Sequence, residues 1–202
     1  DGAAAGACTS PVNLSGLALG PHTFAVTATD PSDNTDPTPA QASWNVVAPT
    51  SATFAPVADT YVDQWHASRN NGSATTLSVD GRTSRQQQAL LRFSVTGIPQ
   101  PVTSATLRIF VSRAVSNGPT LLPTGGTWNE GTVTWDSRPS PTGPAFRDLA
   151  AVPTGWVDID VTSWITGNGT YNLLMQNTVS GALRFASRET STAPQLVVDW
   201  GQ

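Results

Sequence analysis

Ser104-Ala105-Thr106-Leu107-Arg108-Ile109-Phe110-Val111 alternates in character, and Leu107, Ile109 and Val111 fall on one face. A period of two over eight residues is the pattern of a strand with one buried side. Trp156-Val157-Asp158-Ile159-Asp160-Val161 repeats it. Working outward, residues 58–63, 76–79, 88–95, 132–135, 169–175 and 195–200 read as further strands. Turn-forming clusters separate them: Asn70-Asn71-Gly72-Ser73, Pro139-Ser140-Pro141-Thr142-Gly143 and Thr166-Gly167-Asn168-Gly169. Only 161–165 has the pattern of a helical turn. Strands in this number and at this spacing predict an all-β fold, a jelly-roll β-sandwich.

Upstream, His22-Thr23-Phe24-Ala25-Val26-Thr27-Ala28 alternates and Ser43-Trp44-Asn45-Val46-Val47 reads as another short strand. Between them Asp30-Pro31-Ser32-Asp33-Asn34-Thr35-Asp36-Pro37 is dense in turn formers. Charge divides the chain at the same place. Residues 1–50 hold four aspartates and no arginine, whereas the remainder holds ten acids and ten arginines. The net charge of −4 therefore belongs to the first fifty residues. With the linker-like Val46-Val47-Ala48-Pro49-Thr50-Ser51-Ala52-Thr53, this predicts two parts, 1–50 and 51–202. Fifty residues make a small core, while about 150 suit one domain.

Several function classes are excluded. The acidic balance and the lack of a basic cluster argue against nucleic acid as a partner. No apolar run approaches the roughly 18 residues of a membrane span. One cysteine, Cys8, makes no internal disulfide, and His22 and His66 lie in no metal-ligand spacing. No nucleophile–base motif is present, and Glu130 and Glu189 lie far apart in sequence. The reading is of a protein that is not an enzyme.

Two resemblances add to this. Cys8-Thr9-Ser10-Pro11-Val12, Leu17 with Gly20, His22-Thr23-Phe24, Ala28-Thr29-Asp30, Asn34-Thr35-Asp36-Pro37 and Trp44-Asn45-Val46 resemble the C-terminal half of a bacterial immunoglobulin-like repeat. In that family an upstream cysteine pairs with the second one, so the resemblance implies that Cys8 lacks its partner and that the chain is part of something longer. From residue 54 to 200 a second series runs in order: Ala58-Asp59-Thr60-Tyr61-Val62-Asp63, Asn70-Asn71-Gly72-Ser73, Leu90-Leu91-Arg92-Phe93, Thr127-Trp128-Asn129-Glu130 with Val133-Thr134-Trp135, Asn177, and Ser187-Arg188-Glu189. It resembles the DNRLRE domain, the disaggregatase-type repeats and carbohydrate-binding module family 96. The resemblance implies a jelly roll carried by secreted polysaccharide-degrading enzymes and large adhesin-like proteins, binding acidic polysaccharide such as alginate.

The family letters map onto Asp59, Asn71, Arg92 and Glu189. A carboxylate set among apolar strand residues needs a cation or several donors. Two arrangements meet that need: Arg92 paired with Glu189 or Asp59, or a structural Ca²⁺ held by Asp59, Asn71 and Glu189 with backbone carbonyls. For a ligand, sugar rings stack on aromatic faces. Trp128, Trp135 and Trp164 read as core. Trp65 stands in a polar loop beside His66 and Arg69, and Arg82 and Arg85 form the densest basic patch. Trp65, His66, Arg69, Arg82 and Arg85 are thus the candidate site for a polysaccharide or cell-surface glycan. The expected role is a non-catalytic extracellular or cell-surface module for carbohydrate binding or adhesion. The rival is a structural stalk or filament subunit whose N-terminal half-repeat is completed by neighbouring copies.

Overall fold

The computed structural model describes residues 1–2, 6–47, 50–99 and 101–201. It forms two compact units, 1–49 and 50–201. In the first, β1 (Gly20–Val26) and β2 (Ala40–Val46) pair antiparallel over seven residues. His22 is buried at its centre, stacked on Trp44 with ring centroids 5.9 Å apart. Among the described residues this unit has no further strand. Cys8 is a free, exposed thiol.

The second unit is a β-sandwich. One sheet contains β3 (Thr50–Phe54), β5 (Thr76–Val79), β7 (Val102–Arg113), β10 (Gly155–Asp160), β12 (Leu183–Ala186) and β13 (Gln195–Trp200). The other contains β4 (Pro56–Asp63), β6 (Gln87–Val95), β8 (Thr120–Pro123), β9 (Arg147–Asp148) and β11 (Gly169–Gln176). All pairings are antiparallel. The chain crosses from one sheet to the other at every connection except β8–β9 and β12–β13. That repeated crossing is the jelly-roll arrangement.

Ser104–Val111 lies in β7, the organising strand. It pairs with β13 and β12 along one side and with β10 along the other. Leu107, Ile109 and Val111 are all buried, as the alternation requires, in one cluster with Leu91, Phe93, Leu173 and Phe185. The linker-like run is different. Thr50–Phe54 is a strand paired with β13, because a row of unpaired groups on β13 would otherwise be left at the sheet edge. Ala48 and Pro49 lie outside the described residues.

A second cluster covers the outer face of the β4–β6–β11 sheet. Trp128, Val133 and Trp135 pack on Ala58, Val62, Leu90 and Leu174. Residues 132–135, a strand by their sequence pattern, carry turn and irregular backbone instead, with Val133 and Trp135 packed onto this face beside Trp128. Short strands β8, β9 and β12 carry too few residues to show a period. The 161–165 segment is a single turn closed by Trp164 N–H donating to Val161 O at 2.9 Å. Trp164 stacks on Phe146, 4.9 Å between centroids.

Phe185 is fully buried between the sheets. Phe185→Ala should cost about 3–5 kcal/mol, read from the urea midpoint. Val57→Ala, at an exposed position of β4, should change stability by no more than about 0.5 kcal/mol.

Candidate functional site

The 3-10 turn Gln64–His66 follows β4 directly, and Asp63 caps it. Trp65 N–H donates to Asp63 Oδ1 at 2.9 Å, and His66 Nδ1 lies 3.0 Å from Asp63 Oδ2. Burial alone would raise the Asp63 carboxyl, but hydrogen bonds from His66, the Trp65 amide and Gln87 outweigh it and hold it below the usual value. The charged cap fixes the turn, and the turn leaves Trp65 59% exposed.

Trp65 is one wall of a cleft that it shares with Asp63, Asp80, Arg82, Arg85, Gln87, Arg113, Ala182 and Arg184. The Arg85 guanidinium sits 4.2 Å over the Trp65 ring, a cation–π contact that holds both side chains in place. Arg82 is set by Asp80, whose Oδ1 accepts from Arg82 N–H at 3.0 Å and from Gly181 N–H at 3.3 Å. Its guanidinium lies 3.3 Å from Asp80 Oδ2. Gly81 is required here, because a Cβ would stand 2.4 Å from Val179 O.

Sequence reading misses Arg113 and Arg184. They are direct cross-strand partners, Arg113 at the end of β7 and Arg184 in β12. Like charges placed opposite each other repel. Among the described residues, no carboxylate lies within ion-pair distance of Arg85, Arg113 or Arg184. Four arginines thus face a cleft whose two aspartates are already engaged. A second groove, lined by Tyr61, Ser73, Thr75, Thr76, Ser78 and Ser112, shares Gln87 and Arg184 with it. Hydroxyls and arginines therefore line adjoining stretches of one surface. His66 and Arg69 do not line the Trp65 cleft. Both are exposed, and Arg69 N–H closes the turn on His66 O at 2.8 Å.

A separate cluster forms around Asp59. Asp59, Glu130 and Glu189 each present a carboxylate oxygen, and the three lie within 4.8 Å of one another. Asp59 is 1% exposed. Its Oδ2 accepts from Arg188 N–H at 2.7 Å, while its Oδ1 has no hydrogen-bond partner among the described residues. Glu130 Oε1 accepts from Asp59 N–H at 2.7 Å, which satisfies an amide on edge strand β4. Glu130 Oε2 lies 2.8 Å from Arg188 Nη1. Asn70 Nδ2 donates to Glu130 O at 2.8 Å, and a Cβ on Gly72 would stand 2.1 Å from that oxygen. The Asn70-Asn71-Gly72 turn therefore packs directly against the Glu130 backbone. Asn71 is buried and its Nδ2 donates to Tyr61 O at 3.0 Å.

The expected pairing of Arg92 with Asp59 or Glu189 does not occur. Register sets Asp59 opposite Leu91 and Ala58 opposite Arg92, so the pleat sends Asp59 and Arg92 to opposite faces. Arg92 lies over Trp128 at 4.4 Å and donates to Asn172 Oδ1 and to the carbonyls of Gly126 and Trp128. It pins the outer loop to the sheet. The arginine beside the acids is Arg188. Trp128 and Trp135 are buried, as expected of core residues. A second exposed tryptophan, Trp156, lies on β10 beside Phe110 and Arg108. There Asp158 already pairs with Arg108 at 2.8 Å, so the positive charge beside that ring is engaged.

Burial pushes the Asp59 carboxyl up to about 7, reinforced by Glu189 and Glu130 and opposed by the Arg188 amide and side chain. A carboxyl whose folded pKa is raised stabilises below its unfolded pKa and loses that stability as pH rises through the folded value. In chelator-treated protein this group should therefore lower stability as pH rises from about 4 to about 7. Asp59→Asn should flatten the difference in urea midpoint between pH 5 and pH 8. An unchanged difference would contradict the assignment.

No curated protein matches this chain. Residues 50–199 match carbohydrate-binding module family 96, the whole of the sandwich from β3 into β13. That match over most of the chain identifies it as a member of carbohydrate-binding module family 96.

Proposed function

We propose that this protein is a non-catalytic module that binds an acidic polysaccharide through the Trp65 cleft, outside the cell or at its surface. The observation that carries the reading is the combination of an exposed indole with four arginines, three of them free of ion pairs among the described residues. A sugar ring presents apolar C–H groups to the free part of the Trp65 face. A uronate carboxylate or a sulfate relieves the repulsion between Arg113 and Arg184 and accepts their paired N–H donors. The hydroxyl-lined groove alongside offers hydrogen bonds to neighbouring sugars. Because the sandwich unit holds as many arginines as acids, attraction to a polyanion is local and short-ranged, and salt screens it.

A stalk or filament subunit is the second reading, and one observation favours it. The hairpin unit leaves Val12, Leu14, Leu17, Leu19, Val26 and Val47 exposed. Val26 lies on the two-stranded ribbon and the others flank it, and apolar side chains exposed in that number suit cover by further strands. Its likeness to half of an immunoglobulin-like repeat supports completion by strands from a neighbouring copy.

Affinity electrophoresis and calorimetry on alginate, with a neutral β-glucan as control, separate the readings. Binding to alginate should weaken about tenfold or more in Trp65→Ala and in the Arg113→Ala/Arg184→Ala pair, a change of about 1.4 kcal/mol or more. It should also weaken as NaCl rises. Equal binding to both glycans, or none to either, would remove the acidic-glycan reading. Light scattering across a wide concentration range tests the other: a mass that stays at one chain throughout contradicts assembly through the hairpin.

A further inference from the structure

We propose that Asp59, Glu130 and Glu189 form a binding site for a single Ca²⁺ ion that ties three distant segments of the sandwich together. Two independent observations carry it. The first is convergence: one carboxylate oxygen from each residue lies within 4.8 Å of the others. Ca²⁺–oxygen bonds of about 2.3–2.6 Å allow oxygens up to about 5 Å apart to touch one ion. The second is an unmet acceptor. Asp59 is 1% exposed, and its Oδ1 has no hydrogen-bond partner among the described residues. Buried carboxylate oxygens are costly to leave unpaired.

The balance of charge points the same way. Arg188 is the only cation paired with the cluster among the described residues, 2.8 Å from Glu130 and 4.0 Å from Glu189. One guanidinium among three carboxylates leaves negative charge in excess. The donor set is oxygen alone, with no imidazole or thiolate, which suits a hard cation and not a transition metal. Ligands from three separate segments give an irregular cage, which Ca²⁺ accommodates and the strictly octahedral Mg²⁺ does not. Asp59 lies on edge strand β4, Glu130 in the loop that caps the outer face, and Glu189 in the turn between β12 and β13. An ion there would join that loop and turn to the edge of the sheet. The site differs from the sequence expectation in one ligand, since Glu130 takes the place given to Asn71. It does not depend on the glycan reading.

The test uses the full chain after dialysis against a chelator. Thermal melts are recorded with added CaCl₂, with MgCl₂, and with NaCl at matched ionic strength, and calorimetry counts bound ions. Ca²⁺ at about a hundredfold above its dissociation constant should raise Tm by about 5 °C or more. Stoichiometry should be one per chain, and Mg²⁺ should do less. Asp59→Asn and Glu189→Gln should each abolish the response. Asp59→Asn keeps an oxygen for the Arg188 N–H, so that variant retains its fold, and Glu189→Gln tests the site without touching β4. No shift beyond that of NaCl, a larger shift with Mg²⁺, or a full shift retained in both variants would overturn the proposal.

Discussion

A carboxylate taken out of water must be met by donors or by a cation, and Asp59 is where this chain faces that constraint. Its surroundings meet that need in part, with Oδ2 paired and Oδ1 without a hydrogen-bond partner among the described residues. The Arg188 amide comes from the turn between β12 and β13, and Glu130 comes back from the outer loop to the Asp59 amide. Gly72 leaves room for that loop to approach. The connections that look most irregular along the chain are therefore the ones that converge on one buried group. Loops held by a buried charge are fixed more firmly than loops held by apolar contact alone, because a displaced partner leaves an unpaired ion.

The β4–β6–β11 sheet is covered on both sides, whereas an antiparallel sheet commonly leaves one face to water. Leu91 and Phe93 face the opposite sheet, while Leu90 and Leu174 face Trp128 and Trp135. Arg92 holds that outer cover by hydrogen-bonding two loop carbonyls while lying on the Trp128 ring. Three of the seven tryptophans go to this cover and to the Phe146 stack. Trp65 stays open to solvent because a capped 3-10 turn, not a strand, carries it. The arginines around it come from the loop after β5 and from two paired strands, so the cleft is built on rigid elements at its base and on a loop at its rim.

The two units obey different rules. The sandwich buries its alternating apolar residues to near-zero exposure between two sheets, whereas the 1–49 unit leaves Val12, Leu14, Leu17, Leu19, Val26 and Val47 exposed. His22, Phe24, Trp44 and Val46 on the alternating face of β1 and β2 are buried or half-buried, whereas the exposed Val12, Leu14, Leu17 and Leu19 lie in the segment before β1.

Local pattern was enough to place the alternating strands and the jelly-roll class, while the burial of Trp128 and Trp135 and the singling out of Trp65 drew on the family resemblance. The strands and their class follow from a period of two and from strand number and spacing. Which side chains meet was settled by the assembled sheets. Arg113 opposes Arg184 because β7 runs two residues beyond its clear alternation and β12 is too short to show any. Glu130 joins Asp59 and Glu189 because a loop folds back on an edge strand. Arg92 is separated from Asp59 by the pleat, one residue of register sending the two to opposite faces. Sequence spacing records the period of a strand, but register and loop return are set by packing between strands far apart in the chain.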